Sequence, residues 1–264
     1  MIPSPSEVRR GFSELMRLTP IGRRARQAET EQARALQERL LPREIPQVDG
    51  FDIACAWKPS SVVSGDYFDV IPLTEGRVAL CTADVSGKGL SAANLMSDLR
   101  AAVRALAPES ATPADLCSRV NRALCGQIPT GKYVTMFYGM LDRGGQVLHY
   151  ENAGHCLPVL IRADGCVEFP ASFSGVLGLF SHWLYQDQQI QLRSGDTLLL
   201  LTDGVIEAEG RRGEEFGYQR LIALVQSARS QGAERLGREI LAAASHFCRG
   251  KFLDDASLIV LRVK

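Results

Sequence analysis

Two pairs of amphipathic helical patterns interrupt a chain whose other apolar segments have the length of short strands. Residues 90–107 place apolar side chains on one helical face, and the string Thr-Pro-Ala-Asp at 112–115 marks the start of a second helix. Two further helical patterns lie between the apolar runs 198–201 and 257–263. The order strands, two helices, strands, two helices, strand predicts an α+β fold of four layers, in which two sheets pack face to face between helix pairs.

Apolar and aromatic runs bounded by proline or glycine predict the individual strands. The first three, at 51–57, 67–73 and 77–83, are expected to form an antiparallel meander. The runs 198–201 and 257–263 are apolar on both faces, which predicts fully buried central strands. The other predicted strands are 133–141, 147–151, 158–162 and 167–169, and the segment 170–183 is expected to be a loop.

The N-terminal part differs in composition from the strands that follow it. Residues 1–22 show no sustained period and are predicted to be a flexible leader, whereas 46–264 are predicted to form the main domain. Residues 23–45, rich in Ala, Glu, Gln and Arg, are predicted to be a helical linker or regulatory helix that stops at Pro42. The narrow Ala/Leu stripe of this helix fits either a cover for the first strand or a regulatory, dimerising surface.

Charge and cysteine usage exclude several classes of function. Thirty basic and thirty acidic residues give zero net charge, which argues against a dedicated nucleic-acid binder and favours a small-molecule or protein partner. The seven cysteines form no Cys-x-x-Cys pair, which is typical of reduced, buried thiols. No apolar run approaches the roughly 18 residues of a membrane-spanning helix, and no secretory signal is present, so a cytoplasmic location without membrane contact is expected.

Four aspartates from distant segments, Asp66, Asp84, Asp203 and Asp254, each lie where an apolar strand gives way to small or polar residues. A carboxylate at a strand end is held by rigid backbone yet open to water, which suits a hard divalent cation. A lone Asp-Gly is better explained by a turn or a helix cap, so the metal-site hypothesis depends on the set. Oxygen donors without nearby His or Cys favour Mg²⁺ or Mn²⁺ over Zn²⁺.

Six motifs in order resemble those of the SpoIIE/RsbU-type bacterial phosphatases, which belong to the PPM superfamily of metal-dependent Ser/Thr protein phosphatases. The resemblance covers about residues 50–264 and implies a PPM-type αββα sandwich, two mostly antiparallel sheets flanked by helix pairs, with an N-terminal helical extension at 23–45. The motifs are Ser-Gly-Asp-Tyr-Phe-Asp at 64–69, Asp-Val-Ser-Gly-Lys-Gly at 84–89, Asn-Ala-Gly-His at 152–155, Thr-Asp-Gly at 202–204, Phe-Gly at 216–217 and Asp-Asp at 254–255.

The resemblance also implies a site. Phosphoserine or phosphothreonine would be hydrolysed by a water that bridges two Mn²⁺ or Mg²⁺ ions, with a third ion as a further option. Asp84 would bridge both ions and the Val85 carbonyl would bind one of them. Asp203 and Asp254 would bind the other ion, and Asp66 would lie in or next to the coordination shell, partly through water.

Lys88 stands where many PPM phosphatases carry a histidine, and with Asp84 it completes the predicted catalytic pair. An ammonium is a poor acid at neutral pH unless desolvated, but it could hold phosphate or stabilise charge on the leaving group. The alternative is a solvent-exposed lysine in a glycine turn. For His155 two alternatives stay open, contact with the site or a loop-stabilising hydrogen bond. Asp69 and Asp255 are expected to support ligands or turns.

The resemblance implies a phosphorylated protein substrate, of which an STAS-type anti-sigma-factor antagonist is the usual example in bacterial partner switching. Activation would come from another protein, or from a homodimer formed through the 23–45 helix. Two other functions are weighed: a catalytically weak PPM domain that acts as a protein-binding regulatory switch, and a small-molecule phosphomonoesterase.

Overall fold

The computed structural model describes residues 31–42, 44–142, 144, 146–171 and 174–264. The chain divides into two compact units, residues 1–40 and residues 41–264. In the first unit residues 31–38 are helical, with an ion pair of 3.0 Å between Arg34 Nε and Glu38 Oε1 one turn apart. The predicted leader and the first eight residues of the predicted linker helix lie outside the described residues, so the division into leader, linker and domain stays a prediction.

The larger unit contains two five-stranded antiparallel sheets, in the strand orders β1-β10-β9-β6-β7 and β2-β3-β4-β5-β8. Their bounds are β1 Phe51–Lys58, β2 Tyr67–Pro72, β3 Val78–Val85, β4 Val134–Leu141, β5 Val147–Ala153, β6 Val159–Ile161, β7 Val167–Glu168, β8 Gln188–Gln191, β9 Thr197–Leu201 and β10 Ala256–Val263.

Helices cover the outer face of each sheet. Helices Leu90–Leu106 and Pro113–Leu124 pack on the sheet β2-β3-β4-β5-β8. The second of these helices starts at the predicted cap, where the Asp115 amide donates to Thr112 Oγ1 at 3.2 Å. No helix of the described residues is long and apolar enough to cross a membrane. The α-helices are α1 Leu90–Leu106, α2 Pro113–Leu124, α3 Asp203–Ile206, α4 Gly217–Ser227 and α5 Ala233–Phe247.

Two apolar cores, one on each face of the sheet, explain why β9 and β10 lack the alternation of apolar and polar residues that a half-exposed strand shows. Leu199 and Leu201 of β9 pack with α4 and α5, whereas Leu198 and Leu200 point into the core between the two sheets. The same alternation divides β10, because Val260 faces the helices and Ile259 faces the opposing sheet. Both faces are therefore buried, and the prediction of four layers with two central strands is confirmed.

The prediction that the first three strands form one antiparallel meander is wrong for the first strand. Strand β1 pairs with β10, with Phe51 opposite Val263, and so joins the sheet of the C-terminal strand, whereas β2 and β3 do pair with each other. Local composition does not reveal which strand pairs with β1, because the apolar residues of β1 would suit a place in either sheet. The edge strand β8 was not predicted, since Ile190 is its one buried residue.

Candidate active site

The four aspartates all lie at strand ends of the two facing sheets. Asp84 is the penultimate residue of β3, and Asp66 immediately precedes β2, whose first residue pairs with Ala83. Asp203 follows β9 and begins α3, and Asp254 lies two residues before β10. An amide-to-carbonyl bond of 3.0 Å from Thr202 to Ser257 holds these last two segments side by side.

Asp66 ties the two sheets together at this edge. Its carboxylate is buried, and its Oδ2 accepts hydrogen bonds of 2.8 Å from Thr202 Oγ1 and from Ser257 Oγ. Its amide donates to Ser64 Oγ at 3.0 Å. Burial, followed by the charges of Asp84 and Asp255, raises its pKa well above the usual range. Ser64 and Ser257 are thus part of what positions Asp66.

Asp84 shares its electrostatic environment with the other carboxylates. Burial, and then the charges of Asp203 and Asp254, raise its pKa to about 7, an effect that Lys88 partly offsets. The pKa of Asp203 is also raised, first by burial and then by Asp254. The charges of Asp203 and Asp254 both act on Asp84, and that of Asp254 acts on Asp203, so the structure brings the three segments into one acidic site.

Two glycines create the room that this site needs. A Cβ atom at Gly65 would lie 3.0 Å from the Val85 carbonyl oxygen and 3.6 Å from Asp84 Oδ1, so a larger residue would crowd both oxygens. A Cβ atom at Gly204 would collide with the Asp255 carbonyl and lie 3.0 Å from that of Asp254. The glycine after Asp203 therefore permits close approach of two backbones, and its φ is not in the left-handed region.

Lys88 reaches across the acidic site. Its Nζ lies 3.0 Å from Asp254 Oδ2, and it also donates to the Leu253 carbonyl. The flanking Gly87 and Gly89 have φ values of +96° and +75°, a conformation that allows the intervening lysine to project from a tight loop. The side chain is about half exposed, as the alternative of a solvent-exposed lysine in a glycine turn expects, and it is also paired with Asp254.

Asp255 supports a segment of the site, as expected, whereas Asp69 lies within β2 and supports neither a predicted ligand nor a turn. Asp255 Oδ1 accepts bonds from the Ser60 amide (2.7 Å) and hydroxyl (2.9 Å), and its Oδ2 accepts from the Gly65 amide (3.0 Å). It thereby fixes the segment that leads to Asp66. Asp69, fully buried, binds Arg104 through two bonds of 2.6 and 2.8 Å and so stabilises the contact between β2 and α1.

His155 lies behind Asp84 with its ring between two threonines. Nδ1 is 2.9 Å from Thr135 Oγ1, and Nε2 is 3.3 Å from Thr82 Oγ1. Thr135 in turn donates to the Asp84 carbonyl at 3.4 Å. Burial lowers the pKa of His155 to about 4, so the ring is neutral at physiological pH. Of the two alternatives, the structure matches the stabilising hydrogen bond.

Sequence reasoning did not assign roles to Thr202, Ser257 or Glu207. The two hydroxyls bond Asp66, and the pKa of Glu207 is raised by burial and then by Asp203, Glu215 and Asp254, which places it beside the acidic site. The position of Thr202 directly before Asp203 was the available signal. Its role depends on a partner 136 residues away, which local sequence does not reveal.

The donor chemistry of this site fits hard divalent cations, because carboxylate and carbonyl oxygens converge where Gly65 leaves space. As the side chains lie, no group of three or more His, Cys, Asp or Glu residues in the described ranges is arranged to hold a metal ion. In this arrangement Asp254 Oδ2 lies 3.0 Å from Lys88 Nζ. An ion bound through this oxygen would compete with Lys88 for it.

Stacked antiparallel sheets with outer helix pairs and an acidic edge define the PP2C-type, or PPM, class of protein phosphatase domain. Structural comparison agrees. The SiaA-PP2C domain of Pseudomonas aeruginosa superimposes with a TM-score of 0.82 at 19% identity, covering 93% of this chain and 100% of that domain. The RsbU and RsbW domains of Rv1364c from Mycobacterium tuberculosis give 0.74 at 30% identity, covering 85% of this chain and 63% of that one.

Within that class, this chain belongs to the SpoIIE family, described as Stage II sporulation protein E, which matches residues 74–264. It is 28% identical to the phosphoserine phosphatase RsbU of Bacillus subtilis over 90% of this chain and 70% of the relative. It is 25% identical to the protein IcfG of Synechocystis sp. over 88% of this chain, but spans only 41% of that relative. The chain thus carries a protein Ser/Thr phosphatase domain of this family.

Proposed function

We propose that this chain hydrolyses phosphoserine or phosphothreonine on a protein in a metal-dependent reaction. The observation that carries the proposal is the convergence of Asp84, Asp203 and Asp254, from three separate segments, into a site where Asp203 and Asp254 raise the pKa of Asp84 and Asp254 raises that of Asp203. Carboxylates that repel one another in this way are stabilised by binding cations. The all-oxygen donor set supports Mg²⁺ or Mn²⁺.

Each residue has a role that follows from its position. Asp84, Asp203, Asp254 and the Val85 carbonyl would hold two divalent cations, and Asp66, fixed by two hydroxyls, would lie against them. When bound, such ions offset phosphoryl charge and lower the pKa of a bridging water that serves as nucleophile. No nucleophilic protein side chain is then required.

Lys88 supplies the protein's own positive charge at the site. Its flexible, glycine-flanked position would let the ammonium move from Asp254 to an oxygen of the phosphoryl group or of the leaving seryl group. In that position it would bind the substrate or stabilise developing negative charge. Positioning and electrostatics, rather than covalent chemistry, would then provide the catalysis.

The substrate is proposed from the relatives. RsbU and RsbP of Bacillus subtilis are phosphoserine phosphatases, and RsbU and RsbW domains occur together in Rv1364c. By analogy, the substrate of this chain would be a phosphorylated anti-sigma-factor antagonist of the STAS type, and the process would be partner switching. An activating protein or a homodimer acting through the 23–45 segment would regulate it.

The test compares wild type with Asp84→Asn on a phosphoserine protein and on p-nitrophenyl phosphate. The proposal predicts phosphate release by wild type from the phosphoprotein, with a loss of at least about 100-fold in Asp84→Asn at unchanged secondary structure. Turnover of p-nitrophenyl phosphate without discrimination for the phosphoprotein would favour a small-molecule phosphomonoesterase instead.

The contact between Lys88 and Asp254 also favours a second candidate, a catalytically weak domain that acts as a protein-binding switch. If the ammonium holds Asp254 permanently, the ion-binding arrangement does not form. Equal inactivity of wild type and Asp84→Asn with Mn²⁺ present, together with retained binding of the phosphoprotein, would support this candidate against the enzyme.

A further inference from the structure

An open groove of about 510 Å³ lies next to the acidic site, between the loop that follows α3 and the turn that follows α5. Glu209 and Arg211 line one side, and Arg249, Lys251 and Leu253 line the other. We call these five residues the basic groove.

The groove carries an excess of positive charge. Its three cationic residues, Arg211, Arg249 and Lys251, are all exposed and face a single acid, Glu209. Across the described part of the chain, none of the three cations lies within ion-pairing distance of a carboxylate. On a chain of zero net charge, three cations beside one acid in a single concavity leave an excess of positive charge that attracts anions.

The walls of the groove are built by packing, so its shape exists before any partner binds. Phe247, which lines the floor, packs edge-on against Phe216 at 5.8 Å and stacks under the Arg220 guanidinium at 4.7 Å. Gly210 lies so close that a Cβ atom there would be 3.0 Å from the Phe247 ring, and its amide bonds the Glu214 carbonyl at 2.7 Å.

The other wall is an equally defined turn. Arg249 has a left-handed φ of +54°, and the Gly250 amide bonds the Ser245 carbonyl at 2.7 Å, which caps the end of α5. Arg249 and Lys251 therefore project from a fixed backbone. Rigid presentation of charges reduces the ordering cost of binding.

The groove is continuous with the acidic site. Leu253, 61% exposed, directly precedes Asp254, and its carbonyl accepts the hydrogen bond from Lys88. On the opposite wall, Glu209 lies two residues after Glu207, whose pKa responds to Asp203 and Asp254. A chain that places a phosphoserine at the acidic site can extend directly into the groove.

We propose that the basic groove binds an acidic segment of the substrate protein beside the phosphorylated residue. The three cations recognise its carboxylates, and exposed Leu253 offers an apolar contact between them and the site. The groove thus selects among phosphoproteins without taking part in hydrolysis. This inference rests on the proposed phosphatase function and adds the chemistry of the substrate.

The test uses two synthetic phosphoserine peptides, one flanked by Asp and Glu and the other by Asn and Gln, together with p-nitrophenyl phosphate. The variant is Arg249→Glu/Lys251→Glu. The matched control is Arg193→Glu/Lys264→Glu, which changes an exposed Arg and an exposed Lys. Arg193 precedes β9 and Lys264 follows β10, at the ends of these strands away from Asp203 and Asp254. The two segments are neighbours there, because the Gly195 amide bonds the Val263 carbonyl at 3.0 Å. All proteins are assayed with Mn²⁺ at low and high salt.

Wild type and the control should prefer the acidic peptide by about tenfold in kcat/KM through a lower KM, and 0.5 M salt should reduce the preference. The groove variant should lose the preference and still hydrolyse p-nitrophenyl phosphate at the wild-type rate. Equal use of both peptides by wild type, or an unchanged preference in the groove variant, would overturn the groove inference alone. Absence of any phosphate release by wild type would overturn the proposed function, and the groove inference with it.

Discussion

The Lys88 ammonium lies 3.0 Å from the Asp254 carboxylate, so a positive side chain already contacts a carboxylate that the proposed mechanism assigns to a metal ion. The two residues come from opposite sheets of the sandwich, since Lys88 follows β3 and Asp254 precedes β10. Lysine and divalent cation thus compete for the same carboxylate, and this competition links metal binding to the position of the proposed phosphate-binding group.

Replacing Lys88 with Met should tighten Mn²⁺ binding and weaken catalysis at the same time. Without the ammonium, Asp254 is free to bind the ion, which should increase Mn²⁺ affinity by roughly threefold to tenfold in calorimetric titrations. Loss of the cation should lower kcat on a phosphoserine peptide by about tenfold or more. Lys88→Arg, which keeps the charge, is the control, and unchanged Mn²⁺ affinity in Lys88→Met would contradict the competition.

Asp84→Asn should stabilise the chelated protein, and more so at high pH. The folded-state pKa of Asp84 is about 7, above its ordinary value of 3.8, so the folded protein retains a proton that the unfolded chain releases. The contribution of this group is therefore fully present only below about pH 3.8 and is lost progressively as the pH rises to about 7. In EDTA, urea titrations should show the variant more stable than wild type by roughly 1 to 3 kcal/mol at pH 8. The difference should be smaller at pH 5 and should nearly vanish only below about pH 4, and a constant difference would contradict the electrostatic account.

His155 should contribute a pH dependence of the opposite sign. Its folded-state pKa of about 4 lies below its ordinary value of 6.5, so the unfolded chain binds a proton first as the pH falls between these values. Its contribution to stability is complete above about pH 6.5 and is lost towards pH 4. The stability advantage of wild type over His155→Gln should be roughly 2 kcal/mol smaller at pH 5 than at pH 7.5. An advantage that stays constant over this range would show that the ring is not held neutral.

Arg104→Met should destabilise the domain strongly, since it leaves the fully buried Asp69 carboxylate without its partner. Removal of one partner of a fully buried pair costs roughly 3 to 5 kcal/mol, and the 41% exposure of Arg104 reduces the expected cost to roughly 1 to 3 kcal/mol. Thermal unfolding should show this loss, and Asp69→Asn/Arg104→Met should recover part of it because no buried charge remains. Catalysis per folded molecule should be unaffected, since Asp69 and Arg104 lie outside the acidic site. A double variant no more stable than Arg104→Met would contradict this explanation.

Sequence patterns identified the four-layer fold because helix and strand periods differ and because β9 and β10 are apolar on both faces. They misplaced β1, since its pairing with β10 joins Phe51 to Val263 across almost the whole domain. The same limit applied to the site. The aspartates stand out locally, but the bonds of Thr202 and Ser257 to Asp66 join residues far apart in sequence. The pairing of Lys88 with Asp254 and the basic groove are likewise products of tertiary contacts, which no local motif records.

The central claim is that carboxylates at the shared edge of the two sheets bind divalent cations that catalyse phosphoserine hydrolysis. Its most direct test is phosphate release from a phosphoserine protein by EDTA-treated wild type and Asp84→Asn before and after addition of Mn²⁺. The account predicts that chelation abolishes release, that Mn²⁺ restores it in wild type, and that Asp84→Asn stays inactive at the same Mn²⁺ concentration. Full activity after exhaustive chelation, or equal restoration in Asp84→Asn, would contradict it.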